Sequence, residues 1–397
     1  MKINQKYRLL QAFYWMIVCT GCSYTSYYLS NLGYSAGQIG ILTASFGVCS
    51  VIAQPLLGRV ADRSRRFGWK NLLMILAALA EMSFILMLFC SQKLVSGLLA
   101  GLVVLLINCM HPMVSAANYY YQKRGNTIDF GVARGMGSLS YAVISMIMGQ
   151  ITVLAGPKSV PAASFLVMAA LAAVVFGLPF EKEASSVSTD GRKREKTDTA
   201  VRKTGFFGKY PAYSMMLLGS AMLLTFHYLT STYMIQMLRQ VGGDSSNLGT
   251  AMAIAAVLEL PVMFSFTRLS NKIPSVVLLV IAAASYVGKG VLYLIGGSVS
   301  MIYFAQILQM TSYAIYAPAV VKFSDECMSE EDKVTGQAYM SMTSAAGGVI
   351  GNLCGGWIID HMGVGSMLLF GTAFAAAGTV ACVISALMLK RQKDVYR

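Results

Sequence analysis

Four ionisable side chains lie inside stretches of sequence that are otherwise apolar enough for hydrocarbon: Glu81, Glu259, Arg134 near the start of its stretch, and Lys289. Of the 17 acidic residues, only Glu81 and Glu259 are placed this way. Leaving a charge unpaired at mid-bilayer costs about 2.5 kcal/mol or more on insertion scales, so such residues serve pairing, binding or proton movement. A protonatable carboxyl beside a cavity is what proton coupling requires. Glu259 and Lys289 fall on sequential apolar segments and can neutralise each other, which makes Glu259 the leading proton carrier and Lys289 the group that tunes it. A static buried pair that only orders the helices is the competing reading. His111 and His227 are further candidates, since imidazole titrates near neutrality, although a lone histidine is more often a plain hydrogen-bonding group.

Helical spacing marks a second set. Asn108, His111, Ser115, Asn118 and Gln122 recur at intervals of three and four, so one face of an apolar helix is polar along its length. The same holds for Thr20, Tyr24, Tyr27 and Asn31, for Gln306, Gln309, Tyr313 and Tyr316, and for Tyr228, Thr232 and Gln236 beside His227. Such stripes line a polar cavity or hydrogen-bond between helices. Gly135, Gly137 and Gly149, and Gly347, Gly348, Gly351, Gly355 and Gly356, read as sites of close helix contact.

These residues need a membrane-embedded helical frame. The 397 residues are 56% apolar and only 12% charged, with a mean hydropathy of +0.60, far from a soluble domain. Apolar segments of about the 20 residues that cross a bilayer fall near 9–29, 37–61, 70–90, 95–121, 132–155 and 159–180. Six more fall at about 211–238, 245–267, 275–296, 299–323, 335–360 and 364–389. Between the two sets, 181–210 carries basic and acidic residues with Ser and Thr, and reads as a solvated linker. The net charge of +14 reports orientation and not a nucleic-acid partner. All but Lys93, Lys158, Arg239 and Lys289 of the 31 Lys and Arg fall in alternate segments, which the positive-inside rule places in the cytoplasm with both termini. The first segment exceeds a secretory core and reads as a retained helix. Cys19-Thr20-Gly21-Cys22 has redox or metal-like spacing, but it lies in an apolar helix without a second ligand pair and reads as packing. No metal site or cofactor is expected, and the lack of a Walker loop argues against direct ATP drive.

The turn between the second and third segments reads Gly58-Arg59-Val60-Ala61-Asp62-Arg63-Ser64-Arg65-Arg66-Phe67-Gly68. Its pattern resembles the loop signature of the major facilitator superfamily. The resemblance implies an all-α membrane protein of twelve transmembrane helices in two pseudo-symmetric six-helix bundles, 1–180 and 211–397, with Gly58, Asp62, Arg63 and Arg66 as a gating loop. An offset of 209 residues carries Arg59 onto Arg268, Asp62 onto Asn271 and Arg63 onto Lys272, as a duplication requires. Asp129 to Ser138 is similar to the fifth-helix entry of the branch holding lactose permease, the nucleoside:proton symporters and the phenylpropionate permease-like proteins. Arg134 there takes the place of their cavity arginine. Leu258 to Phe264, Thr335 to Ala338, and His227 with Tyr233 resemble the phenylpropionate permease-like group. The chain departs from lactose permease in having Ser115 and Ala116 where a carboxylate would face Arg134, and Tyr313 and Tyr316 where the proton relay would lie. Arg134 is then either neutralised by another group or free to meet a carboxylate or polar oxygen of a substrate.

The resemblance implies a secondary active transporter in the cell membrane, working as a monomer by proton-coupled uptake of a sugar, nucleoside or aromatic acid. Proton-driven export, a nontransporting sensor and an intramembrane enzyme are the alternatives, the last lacking a clustered nucleophile and base. Substrate contacts are expected from Arg134, Asn108, Ser115, Asn118, Tyr24, Tyr27, Tyr228, Thr232, Gln236, Gln306, Gln309, Tyr313 and Tyr316.

Overall fold

The computed structural model describes residues 3–63, 68–90, 92–179, 206–329 and 331–395, and these are helical apart from short connections. The first segment is α1 (Ile3–Val18), a π-helical turn at Cys19–Ser23, and α2 (Thr25–Asn31). It is followed by α3 (Ala36–Arg63), α4 (Trp69–Phe89), α5 (Lys93–Gln122), α6 (Phe130–Ala155) and α7 (Ser159–Phe176). The second half holds α8 (Phe206–Lys209), α9 (Pro211–Thr232), α10 (Met234–Gln240), α11 (Ser245–Lys272) and α12 (Ser275–Ile295). It ends with α13 (Val299–Ile307), α14 (Tyr313–Cys327) and α15 (Lys333–Val395).

Among the described residues, 9 helices are long and apolar enough to cross a membrane. The difference from the twelve expected segments has local causes. Segments one and ten are interrupted, by the π-turn and by residues 308–312, so neither leaves one long helix. Segments eleven and twelve run together in the 63-residue α15, which breaks at Gly363 with φ 84° and ψ 172°, a conformation open to a residue without Cβ. Three other turns at the same end of the molecule use Gly33, Gly156 and Gly242, with φ of 79°, 69° and 79°. We call this the loop end, opposite the end that carries the termini.

The two halves echo each other. α3 and α11 are both 28 residues long and start and stop at the 209-residue offset read from the sequence. α4 and α12 are both 21 residues long. Asp244 starts α11 by accepting from the backbone amides of Ser246 and Asn247, while the Asn247 side chain accepts from the Asp244 amide, so orphan donors of the first turn are satisfied. Asp129 starts α6 in the simpler way, through the Val132 amide at 3.0 Å.

Packing sorts the helices. α1 lies on α6 and α7, α4 on α5 and α7, and α3 on α5, while α9 and α12 lie along α15 and α12 on α14. The two groups meet along α6 with α11 and α3 with α15. Outward-facing Ile52, Phe89, Leu154, Phe176 and Leu369 are exposed, an apolar surface suited to lipid. Of the expected linker 181–210, only 206–210 is described. There Lys209 on α8 meets Asp332 at 2.7 Å and holds that carboxyl below its ordinary range.

Candidate functional site

A cavity of about 600 Å³ lies between the two helix groups, lined from both halves. Tyr228 and Thr232 reach it from α9, Glu259 from α11, Arg134 and Tyr141 from α6, and Ser341, Ser344 and Asn352 from α15. The cavity is sealed at the loop end. Tyr24 donates to the Ser145 carbonyl at 2.9 Å, and a Cβ at Gly249 would stand only 2.9 Å from the Tyr24 hydroxyl, so α2, α6 and α11 close together. Tyr233, at the 209-residue offset from Tyr24, donates to the carbonyls of Asn352 at 2.6 Å and Ala36 at 3.2 Å, and crowds Gly40 in the same way. Asp360 on α15 caps α3 across the halves, its Oδ1 2.9 Å from the Ala36 amide and its Oδ2 2.8 Å from that of Gly37 and 2.6 Å from Ser35 Oγ. Gln236 with Ser26 at 3.0 Å, Arg239 with Ser30 at 3.0 Å and Gln150 with Ser246 at 2.7 Å complete the seal. Toward the termini the close contacts of α3 with α15 at Gly37 and Gly40 give way to open space at Gly47 and Gly58, and Ser50, Gln54, Ser341 and Ser344 line the cavity.

Three of the four charged residues inside the spans, Arg134, Glu259 and Lys289, converge here, while Glu81 on α4 is not among the residues lining the cavity. The expected meeting of Glu259 with Lys289 takes an indirect form: Lys289 Nζ donates to Gln309 Oε1 at 2.7 Å, and Gln309 Nε2 donates to Glu259 Oε1 at 3.0 Å. Lys289 and Gln309 are 4% and 5% exposed, so neither group has bulk water as a ready substitute. Gln309 sits in the interruption between α13 and α14. No direct ion pair joins Glu259 to Lys289 or Arg134 among the described residues. Arg134 Nη1 donates to Ser138 Oγ at 2.8 Å, and its guanidinium lies 3.9 Å from the centre of the Trp15 ring, a cation–π contact that leaves donors for the cavity. His227 stacks on Tyr313 with ring centres 4.4 Å apart and planes 4° from parallel. Tyr228 and Ser344 hydroxyls are 2.7 Å apart, and Thr232 donates to Asn352 Oδ1 at 2.7 Å. Gln306 lines the wall with its amide 3.9 Å from the Met234 sulfur, and Asn108 also reaches the wall.

Other expected site residues are placed elsewhere. Tyr24 and Tyr27 are buried between helices, Tyr27 donating to the Thr152 carbonyl at 3.2 Å, because their length spans the helix contact that the seal needs. Gln236 works in the seal. Tyr316 is buried against a second cavity of about 250 Å³ bounded by Leu224, Val320 and Met340. His111 and Ser115 are exposed but not among the residues lining the central cavity, and His111 packs near the rings of Tyr14 and Trp15 at 5.8 Å and 6.3 Å. Asn118 is half-buried, with no hydrogen-bond partner for Oδ1. Gly58 lies on α3 in open space, while the side chains of Asp62 and Arg63 and all of Arg66 lie outside the described residues.

The sequence reading passed over Trp15, Gln54, Tyr141 and the α15 residues. Thr43, Gly47, Ser50 and Gln54 recur at helical spacing, as do Ser341, Ser344, Gly348 and Asn352, so the same stripe test would have found both faces. The glycines of α15 do make close contacts: a Cβ at Gly351 would meet the Thr225 carbonyl at 2.6 Å, and one at Gly355 the Tyr233 ring at 2.8 Å.

Known proteins give the frame a relationship. The maltose permease of Geobacillus stearothermophilus is 23% identical over 365 residues, spanning 90% of this chain and 87% of that protein. A crystal structure of the nucleoside transporter NupG superposes with a TM-score of 0.78 at 15% identity, covering 98% of this chain and 100% of that one. A crystal structure of the peptide transporter POT in complex with sulfate gives 0.76 at 12% identity, covering 98% and 94%. The fold is thus that of major facilitator transporters, and these relatives are transporters and not enzymes. A profile of the MFS_1 like family matches residues 6–370, and the chain belongs to that family of multi-pass membrane transporters.

Proposed function

We propose that this transporter takes up a small organic solute together with protons, by alternating access at the cavity between the helix groups. The observation that carries it is Glu259: a carboxylate in the cavity wall, hydrogen-bonded through Gln309 and not locked in an ion pair. Arg134, without an acidic partner within 4.0 Å among the described residues, is the group that meets a carboxylate or polar oxygen of the solute. Tyr313 with His227, Tyr228, Thr232, Gln306 and Asn108 supply the remaining surface, where flat rings and amides suit a sugar, a nucleoside or an aromatic acid. Twelve crossings form two bundles, 1–180 and 211–397, joined by the 181–210 linker, with both termini in the cytoplasm of a monomer in the cell membrane. In that orientation the sealed loop end faces outward and the cavity here belongs to the inward-facing state.

Uptake of labelled sugars, nucleosides and aromatic acids into proteoliposomes under an imposed pH gradient tests the proposal. One class should accumulate with the gradient and stop accumulating when a protonophore collapses it. Accumulation indifferent to the gradient, or export with it, would overturn proton-coupled uptake.

A further inference from the structure

The Lys289–Gln309–Glu259 chain has an order that chemistry imposes. An ammonium only donates and an ionised carboxylate only accepts, so the amide between them must turn its oxygen to Lys289 and its nitrogen to Glu259, as it does. Gln309 is held in the helix interruption at 308–312, where its main-chain N–H donates to the Gln306 carbonyl at 2.9 Å, a three-residue turn in place of the regular four-residue ladder. That break lets one side chain span two ions on different helices, α11 and α12.

Resting on the proton coupling proposed above, we propose that Gln309 is a positioning residue: it keeps Lys289 and Glu259 in contact through an amide but out of a direct ion pair, so that Glu259 exchanges its proton without breaking a bond in the chain. When Glu259 is ionised, Oε1 accepts from Gln309. When a proton arrives from the cavity on Oε2, which has no hydrogen-bond partner among the described residues, Oε1 remains a carbonyl acceptor and still receives the same Nε2–H. Lys289 keeps its bond to Gln309 Oε1 in both states. A direct Lys289–Glu259 pair would behave otherwise, since an ammonium at contact distance holds the carboxylate ionised far more strongly than one kept off by a neutral amide, and proton uptake would then have to undo a buried ion pair. The other groups facing Glu259 are Arg134 and Tyr141 on α6, Lys289 and Tyr286 on α12 and Tyr313 on α14, with His227 on α9 in the same cavity wall. None of them hydrogen-bonds Glu259 among the described residues, so Gln309 is the single donor whose removal isolates the effect.

The test needs no substrate. The carboxyl band of Glu259, identified by its loss in Glu259→Gln, is followed by infrared difference spectroscopy as a function of pH in the purified, membrane-reconstituted protein. Gln309→Met removes the amide at similar length, and Gln309→Glu turns the residue into a direct partner of Lys289 that no longer donates to Glu259. Gln309→Glu, which keeps Lys289 engaged but no longer donates to Glu259, should move the midpoint of that band toward alkaline pH by about one unit or more, the worth of one hydrogen bond to a charged group, whereas Gln309→Met, which frees Lys289 to pair with Glu259 directly, should move it toward acid pH. Either variant, if folded, suffices. A wild-type midpoint in a folded Gln309 variant would overturn the positioning role while leaving proton uptake at Glu259 intact. A wild-type protein in which Glu259 does not titrate would overturn proton coupling at Glu259 and this role with it.

Discussion

Asp360 caps the first turn of α3 from across the molecule, its Oδ2 2.8 Å from the amide of Gly37, and does there what Asp244 does for α11 within its own chain segment. At the position of α3 that matches Asp244, the sequence has Ser35, which instead donates to Asp360 at 2.6 Å. The two halves therefore share a helix-start requirement and meet it differently. Only the α3 version joins the halves, so it must break whenever the loop end opens. Losing an N-cap carboxylate costs about 1 kcal/mol, or about fivefold in an opening equilibrium. Asp360→Ala should speed hydrogen exchange of the Ala36 and Gly37 amides by about that factor while leaving the Ser246 and Asn247 amides unchanged. Equal protection in both proteins would show that the cap does not hold the seal.

Arg134 has spare donors over the cavity and stacks on Trp15. Replacing it should weaken binding of the transported solute by about tenfold to a hundredfold, the range for a lost charge-assisted hydrogen bond. Arg134→Lys should recover little of it, because a point charge loses both the fork and the flat stacking face. Equilibrium binding measured with whichever labelled solute the uptake screen identifies checks this, and an unchanged Kd in Arg134→Ala would remove Arg134 from the site.

Orientation follows from the distribution of Lys and Arg. A reporter fused after Gly191 or Arg397 should be protected inside intact cells, and one inserted beside Lys158 should be accessible outside. The opposite labelling would invert the topology and make the cavity an outward-facing one.

Much of the frame was legible because hydropathy and charge act at the length of a whole helix. The 209-residue offset noticed in a few residues of the 58–68 turn returns as two helices of 28 residues with matching ends. Periodicity also brought Asn108, Tyr228, Thr232, Gln306, Gln309 and Tyr313 to the cavity wall, and the rarity of charge inside apolar segments brought Arg134 there. It misplaced Tyr24, Tyr27, Gln236 and Tyr316 because a polar stripe states which face of a helix is polar, not whether a cavity or another helix lies against it. Tyr24 shows why: the same hydroxyl that would suit a substrate reaches a main-chain carbonyl on α6. The π-turn at Cys19–Ser23 further changes the facing of residues after it, which a fixed 3.6-residue period cannot follow. The role of Gln309 as bridge was hidden for a related reason, since it depends on a break in the helix between Ile307 and Tyr313.

Glu259 carries the proposed coupling, and one measurement bears on it most directly. Glutamine mimics the protonated acid in shape and neutrality but cannot release a proton. Proteoliposomes containing Glu259→Gln should therefore fail to accumulate the solute identified in the screen under an imposed pH gradient, while solute counterflow, which needs no net proton movement, stays measurable. Accumulation by Glu259→Gln to the wild-type level against a solute gradient would contradict proton coupling through this residue.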